Sequence, residues 1–260
     1  MCLIVLAYQA DPKYPLVVAA NRDEFYQRLS DPIRFWDCSN DGMGAMLAGR
    51  DHSRGGVWLG INRNGRFAAV TNVRSEFGRK AYPVSRGDLA KDFLRGDMSP
   101  QQYFESLQDP QQYGGFHLLL GDIDGMFHFS NRSEGLRPLE PGIHGISNHM
   151  LDDTWPKTES SKKGLSELVE RGEISHQSLQ QLMAQQPIKV SSVDGQPKPT
   201  SNLDYSEQNP FLWSDQYGTC ASTSLIVSRS EDVRASMREI RYEPLGIESS
   251  NRQYNFDLNR

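Results

Sequence analysis

The chain has 260 residues, enough to bury a sizeable core as one large domain or two small ones. Its formal net charge of -5 argues against a nucleic-acid binder, because neutralising phosphates needs a basic face. Its three scattered cysteines include no C-x-x-C pair, a pattern typical of a reducing compartment rather than a disulfide scaffold or zinc cluster. The opening apolar run lacks the basic start and cleavage site of a signal peptide, and no stretch approaches a membrane span. We therefore expect a soluble, cytoplasmic protein.

The first half of the chain predicts two hairpins followed by two helices. Short β-branched runs at 2–8 and 16–20 predict a buried hairpin, and 43–49 is a weaker strand candidate. Segments 55–62 and 66–72 flank Asn64-Gly65, the strongest short hairpin signal, which places Asn72 at a strand exit. Helical spacing of apolar residues predicts a helix over 86–94, and Ser99-Pro100 begins a second one that runs to residue 107.

The second half predicts a hairpin, two more helices and a return to strands. These elements are a hairpin of 115–121 with 126–130, helices over 160–170 and 177–186, and strands over 217–227 and 233–242. The Gly- and Asn-rich segment 142–155 is predicted to be a loop that holds Asn148. Segment 187–213 lacks periodicity, and we expect a loop or lid insertion there. Hairpins at both ends with two helix pairs between them predict one α+β domain, 1–260.

Cys2 is the first candidate for a chemical role. Removal of the initiator methionine would leave a thiol nucleophile and an α-amine base on the same residue. A nearby cation such as Arg22 lowers the pKa of a thiol, and Asp23 could orient the amine or the guanidinium. Asn72 and Asn148, both at loop edges, are suitable donors to an oxyanion. The plainer interpretation is that Cys2 is a small core residue at a strand start.

The sequence resembles the NRDE family, also called the transport-and-Golgi-organisation family, whose name spells residues 21–24. The matching blocks run nearly end to end and are 1–2, 20–25, 55–62, 65–74, 85–87, 115–122, 145–148, 151–152, 155–157 and 217–219. The resemblance implies an N-terminal-nucleophile-hydrolase-like αββα sandwich, with two antiparallel sheets between helix layers. Enzymes of that fold, such as bile-salt hydrolases and penicillin V acylases, use an N-terminal cysteine on amide bonds. By relative order, the resemblance gives catalytic roles to Cys2, Arg22, Asp23, Asn72 and Asn148.

For the family itself, the resemblance implies intracellular haem trafficking, with haem as a transient, non-covalent, amphipathic ligand. Candidate ligand-binding residues are Asn21, Glu24, Trp58, His117, His128 and Cys220. Candidate axial ligands to haem iron are Cys2, His117, His128, His144 and His149.

Cys220 departs from the family pattern, which usually has an arginine after Tyr-Gly-Thr at 217–219. A second thiol at this place suggests redox or soft-ligand chemistry, whereas the plainer interpretation is a buried strand residue. Three alternatives therefore stay open. They are a haem carrier, a Cys2-dependent amidohydrolase acting on a non-peptide C–N bond, and a catalytically inactive relative that binds a ligand or partner.

Overall fold

The computed structural model describes residues 2–36, 45–73, 82–185 and 209–259, and it gives the backbone of 188–189, 191–193 and 196–198. The strands in chain order are β1 (Cys2–Tyr8), β2 (Leu16–Phe25), β3 (Ser30–Trp36), β4 (Met46–Asp51), β5 (Leu59–Asn62), β6 (Phe67–Asn72), β7 (Phe116–Gly121), β8 (Met126–Ser130), β9 (Leu136–Pro138), β10 (Gly142–Ile146), β11 (Ile188–Lys189), β12 (Ser191–Val193), β13 (Gln196–Lys198), β14 (Leu212–Trp213), β15 (Tyr217–Arg229), β16 (Val233–Glu243) and β17 (Ile247–Asp257). The helices are α1 (Arg86–Arg95), α2 (Pro100–Ser106), α3 (Pro156–Glu170) and α4 (His176–Met183).

One compact unit comprises Met1–Arg28 and Pro141–Asn255. Its six-stranded sheet has the order β10-β1-β2-β15-β16-β17, so β1 and β2 are central strands. Leu3 on β1 and Ala19 on β2 pack with Leu165 of α3 and Leu179 of α4 in one apolar cluster. Because side chains alternate along a strand, the even-numbered residues of β1 and β2 lie on the face turned away from these helices.

The other compact unit comprises Leu29–Glu140 and Phe256–Arg260. Its seven strands, β3 to β9, are neighbours in chain order, and α1 and α2 lie in the connection between β6 and β7. The Asn64-Gly65 turn is present between β5 and β6, and Gly65 has the positive φ of 81° that favours glycine. Phe93 of α1 packs with Leu118 and Phe116 of β7 in the core of this unit.

The predicted hairpins and both helix pairs are confirmed, while several boundary predictions are wrong. The strand predicted over 55–62 begins only at Leu59, and the helix predicted over 160–170 begins earlier, at Pro156. β2 continues to Phe25, so the 21–24 tetrad lies within a strand, because β15 pairs with all four residues and β1 with the first two. Residues 142–146, predicted as loop, form β10 because they pair with the exposed edge of β1. β17 was not predicted because it is polar and mostly exposed, with no alternation to reveal it.

The proposed lid at 187–213 lies largely outside the described residues, as do positions 43–44 of the predicted weak strand. Across the described parts of the chain, no helix is long and apolar enough to span a membrane. The single-domain assignment over 1–260 stays a prediction.

Candidate functional site

Cys2 and Arg22 are direct partners in the antiparallel register of β1 and β2. Residues directly opposite each other in such a pair project to the same face of the sheet. The thiol and the guanidinium therefore share the face turned away from α3 and α4. Cys2 is 9% exposed and Arg22 is 7% exposed, so both groups are held in a largely water-free place.

The loop that follows β10 holds the backbone of Cys2 on both sides. The Cys2 backbone N–H donates to Asn148 Oδ1 at 3.2 Å, and Ser147 Oγ donates to the Cys2 carbonyl at 2.7 Å. Asn148 is thus brought to Cys2, and its predicted role as an oxyanion donor stays a prediction. Its oxygen faces the Cys2 nitrogen, which makes Asn148 a positioning acceptor in this arrangement, whereas an oxyanion donor would have to use Nδ2.

Asp23 is fixed to β15 by two hydrogen bonds. Thr219 Oγ1 donates to Asp23 Oδ1 at 2.8 Å, and the Tyr217 hydroxyl donates to the Asp23 carbonyl at 3.2 Å. Burial raises the pKa of the Asp23 carboxyl, while the positive charge of Lys157 and the Thr219 hydrogen bond act in the opposite direction. Asp23 is 2% exposed, so its ionisation depends on these neighbours.

Asn21 and Glu24, candidate ligand-binding residues, both make contacts that stabilise the fold. Asn21 Nδ2 donates to the carbonyls of Met183 and Pro210 at 2.9 and 2.7 Å, which ties β2 to the end of α4. Glu24 Oε2 pairs with Arg28 at 3.2 Å in a partly exposed contact. These contacts give both residues a structural role, and their predicted role in ligand binding stays a prediction.

Burial raises the pKa of the Cys2 thiol above its ordinary value. Arg22 and a hydrogen bond from the Asp23 backbone act in the lowering direction, and the Asp23 carboxylate adds to the raising one. Arg22 therefore lowers the pKa of the Cys2 thiol, as expected of a nearby cation. The loss of hydration on burial raises that pKa by more, so the net shift is upward. A thiol with a raised pKa stays protonated near neutral pH and is a weak nucleophile until a base or a ligand removes its proton.

Cys220 lies in a β-bulge on the other side of Arg22. The register of β15 on β2 shifts between Thr219 and Ala221, which pair with Asp23 and Arg22. Bulges re-aim side chains and are frequent beside functional sites. Cys220 Sγ lies 3.3 Å from the Glu24 carbonyl, to which it donates. Burial raises the pKa of Cys220 to about 11, and the charge of Arg22 opposes this rise.

The two thiols belong to strands that are separated by β2. Neighbouring strands are about 4.8 Å apart, so the backbones at Cys2 and Cys220 are separated by roughly twice that distance. A disulfide requires Cα atoms within about 7 Å. A disulfide between Cys2 and Cys220 is therefore excluded without movement of the strands.

The second unit holds Asn72, Trp58, His117 and His128. Asn72 ends β6, as predicted, and Trp58 accepts a backbone hydrogen bond from Val70 just before β5. His117 Nδ1 and His128 Nε2 lie 3.1 Å apart, and both residues are at most 2% exposed. Each imidazole therefore has one nitrogen engaged by the other. Their predicted role as haem ligands stays a prediction.

His144 and His149, in the first unit, also have carboxylate partners. His144 Nδ1 lies 2.8 Å from Asp152, and His149 pairs with Asp153. Within the described ranges, no group of three or more His, Cys, Asp or Glu side chains could hold a metal ion.

Sequence reasoning missed Ser147, Lys157 and Thr219 as members of the site. Each lies in one of the matching blocks, and that was the only signal available before the register of the strands was known. Lys157 is fully buried at the beginning of α3, where an ammonium group is unusual.

A family model described as Transport and Golgi organisation 2 matches residues 1–243 of this chain. The chain belongs to this family. Relatives within it include the Transport and Golgi organization protein 2 homolog of Bos taurus, 36% identical over 188 residues, and that of Homo sapiens, 34% identical over 188 residues. Each match covers 66% of this chain, and the chain spans 66% of the length of each relative.

Among solved structures, the fold is similar to a Caenorhabditis elegans ortholog of N-acylethanolamine-hydrolyzing acid amidase. The TM-score is 0.54 and the identity 12%, with coverage of 86% of this chain and 92% of that one. At this identity the likeness concerns the fold alone. The predicted α+β, N-terminal-nucleophile-hydrolase-like fold class of this family member is confirmed.

Proposed function

We propose that this protein binds haem reversibly at the Cys2 site and passes it on as cargo. Membership of the family supports the proposal, because the resemblance in sequence implies intracellular haem trafficking. The structural observation that carries it is the placement of two buried thiols, Cys2 and Cys220, on the strands that flank Arg22. The cysteine pattern supports a cytoplasmic location for this activity.

The side chains around Arg22 fit the chemistry of haem. Thiolate sulfur is an established axial ligand of haem iron, and a guanidinium pairs with carboxylates such as the haem propionates. Ligation releases the thiol proton, so thiols with raised pKa values are expected to bind iron more weakly as the pH falls. Because Cys2, Arg22 and Cys220 are all less than 10% exposed, we expect slow association that follows local opening.

The histidine contacts also favour a thiol ligand. His117 and His128 are hydrogen-bonded to each other, and His144 and His149 have carboxylate partners. As a haem ligand, His117 or His128 would have to give up this contact or use its other nitrogen from a buried position. We therefore expect haem binding to depend on Cys2 or Cys220 and to survive substitution of His117.

Titration of haem into the purified protein tests the proposal. The wild type is expected to show a saturable shift of the Soret band, and Cys2→Ala or Cys220→Ser is expected to remove it. Cys38→Ser is the matched control, since it also removes one thiol, at a position outside the described residues. Absence of saturable binding in the wild type would eliminate the carrier function.

A Cys2-dependent amide hydrolase is the second candidate, and one contact favours it. After removal of Met1, the Cys2 nitrogen that now donates to Asn148 Oδ1 would be the α-amine, already held by an amide oxygen. The relative of similar fold is named for hydrolysis of N-acylethanolamines, which are non-peptide amides. The raised pKa of Cys2 and the cysteine at position 220 count against hydrolysis.

Intact mass and an electrophilic probe test the hydrolase candidate together. Met1 lies outside the described residues, so the mass of the mature protein must report its removal. An amide or β-lactam electrophile is then expected to label Cys2 alone. Equal labelling of all three cysteines, or a retained methionine, would count against hydrolysis. Failure of both functions with the fold intact would leave an inactive relative that binds another ligand or partner.

A further inference from the structure

Two arginines lie in one row across the sheet of the first unit, on the face that carries the Cys2 thiol. The register of β1, β2 and β15 puts Cys2 opposite Arg22 and Arg22 opposite Ala221. The register of β15 and β16 then puts Ala221 opposite Arg241. Because directly opposite residues project to the same face, both arginine side chains leave the sheet on the thiol's face, on either side of an alanine.

Ala221 places a single methyl group between the two arginines. β2 and β16 flank β15, so their backbones are about 10 Å apart, twice the spacing of neighbouring strands. An arginine side chain is longer than half of that distance, so both guanidiniums can contact one ligand group above Ala221. Two like charges on one face repel each other, and an anion between them relieves that repulsion. A carboxylate suits the place, because its two oxygens match the paired N–H groups of a guanidinium.

Thr223 adds a buried hydroxyl to the same face. It lies two residues along β15 from Ala221, and the alternation of the strand returns its side chain to the face of the arginines. Thr223 is 3% exposed, and within the part of the chain that the structure describes, its Oγ1 has no hydrogen-bond partner. A buried polar atom without a partner costs stability and is commonly explained by a ligand, ion or water. Here it indicates a ligand group that accepts hydrogen bonds.

Glu239 supplies one carboxylate to this face from the protein itself. It is opposite Thr223, and its Oε1 lies 3.7 Å from Arg241 Nη1. That distance is an ion pair rather than a hydrogen bond, and a guanidinium has five N–H donors with which to hold a protein carboxylate and a ligand together. The Arg241 side chain is 18% exposed, which gives a ligand an approach from solvent. Because Glu239 repels an incoming anion, binding is expected to need both arginines.

We propose that Arg22, Arg241 and Thr223 form a carboxylate-binding site over Ala221, in the same row as Cys2. This inference deepens the proposed function and rests on it for the identity of the ligand, whose carboxylates are the propionates of haem. Arg22 then serves both the thiol and the carboxylate, while Arg241 and Thr223 select for the carboxylate alone.

Protoporphyrin IX without iron tests this site apart from thiol ligation, because it keeps both carboxylates and has no metal. In a fluorescence titration it is expected to bind the wild type saturably, and its dimethyl ester, which has no free carboxylate, about tenfold more weakly. Arg241→Met is expected to weaken binding of the acid about tenfold and to leave the ester unchanged. Arg234→Met is the control, since it removes a largely exposed charge from the other face of the same strand.

Thr223→Val keeps the test decisive if Arg241→Met does not fold. Replacement of an unpartnered hydroxyl by a methyl group of the same shape is expected to leave the urea midpoint unchanged or raised, and to weaken binding of the acid several-fold. A merely structural hydroxyl would not change the preference for the acid over the ester.

Three results would overturn the inference. They are absent or equal binding of acid and ester by the wild type, equal weakening of both by Arg241→Met, and wild-type affinity for the acid in Thr223→Val. Arginine-dependent binding of the acid without a thiol-dependent Soret shift for haem would contradict only the proposed function. A thiol-dependent Soret shift without preference for the acid would contradict only this inference.

Discussion

Arg22 lies between two thiols, directly opposite Cys2 on β1 and beside the bulge that holds Cys220 on β15. Its guanidinium acts to lower the pKa of both, although burial leaves both raised. This relationship determines how the two thiols respond to changes in charge.

Arg22→Met is expected to shift the alkylation of Cys2 to higher pH. Loss of the cation removes a lowering influence on a thiol pKa that burial already raises, so the midpoint should rise. Rate against pH, followed by mass spectrometry of the Cys2 peptide, measures the shift. Arg22→Lys keeps the charge and serves as the control. A midpoint that falls in Arg22→Met would contradict the placement of the guanidinium.

Asn148→Ala should destabilise the protein by about 1–3 kcal/mol, since the buried Cys2 N–H loses its acceptor. Asn148→Asp keeps an oxygen at the accepting position and should lose less. Urea unfolding of both variants provides the comparison. Equal stability of Asn148→Ala and the wild type would show that the contact contributes nothing.

Mild oxidation should leave Cys2 and Cys220 unlinked. β2 separates their strands, so in the folded sheet the two Cα atoms are too far apart for the roughly 7 Å that a disulfide requires. Peptide mapping after treatment with diamide checks this. A Cys2–Cys220 cross-linked peptide in folded protein would refute the strand order.

His128→Ala should cost about 1–3 kcal/mol of stability, because it breaks a hydrogen bond between two buried rings. His52→Ala removes a half-exposed imidazole and should change stability by no more than about 0.5 kcal/mol. Urea midpoints compare the two. Similar small effects for both variants would mean that the His117–His128 contact is not formed.

Asp152→Asn should lower stability near neutral pH and have little effect in strong acid. The His144, Gly145 and Lys162 contacts outweigh burial, so the folded pKa of Asp152 lies below its ordinary value of 3.8. A depressed carboxyl pKa contributes stability above 3.8 that is lost as the pH falls through the folded value. Urea midpoints of both proteins across the acid range reveal the difference. A constant difference at every pH would contradict the ionic contribution.

Local signals in the sequence predicted most of the elements that carry the site. The apolar run at 2–8 predicted β1, and Asn64-Gly65 predicted the turn between β5 and β6. The tetrad was harder to place because charged residues normally end a strand. Its strand conformation depends on pairing with β15, about 200 residues later in the chain, which no local pattern reports.

Contacts that depend on register could not be read from the sequence. The bulge at Cys220 exists only relative to β2, and β10 was predicted as loop because its strand pairing comes from the edge of β1. Lys157 appeared only as a member of a matching block. Its complete burial is a long-range property that the sequence does not report.

Haem titration of the Cys2→Ala, Cys220→Ser double variant beside Cys38→Ser tests the central claim most directly. The account predicts a saturable Soret shift in the wild type and in Cys38→Ser, and its loss in the double variant. Saturable binding of wild-type affinity in the double variant would contradict the claim that the two thiols around Arg22 form the haem site.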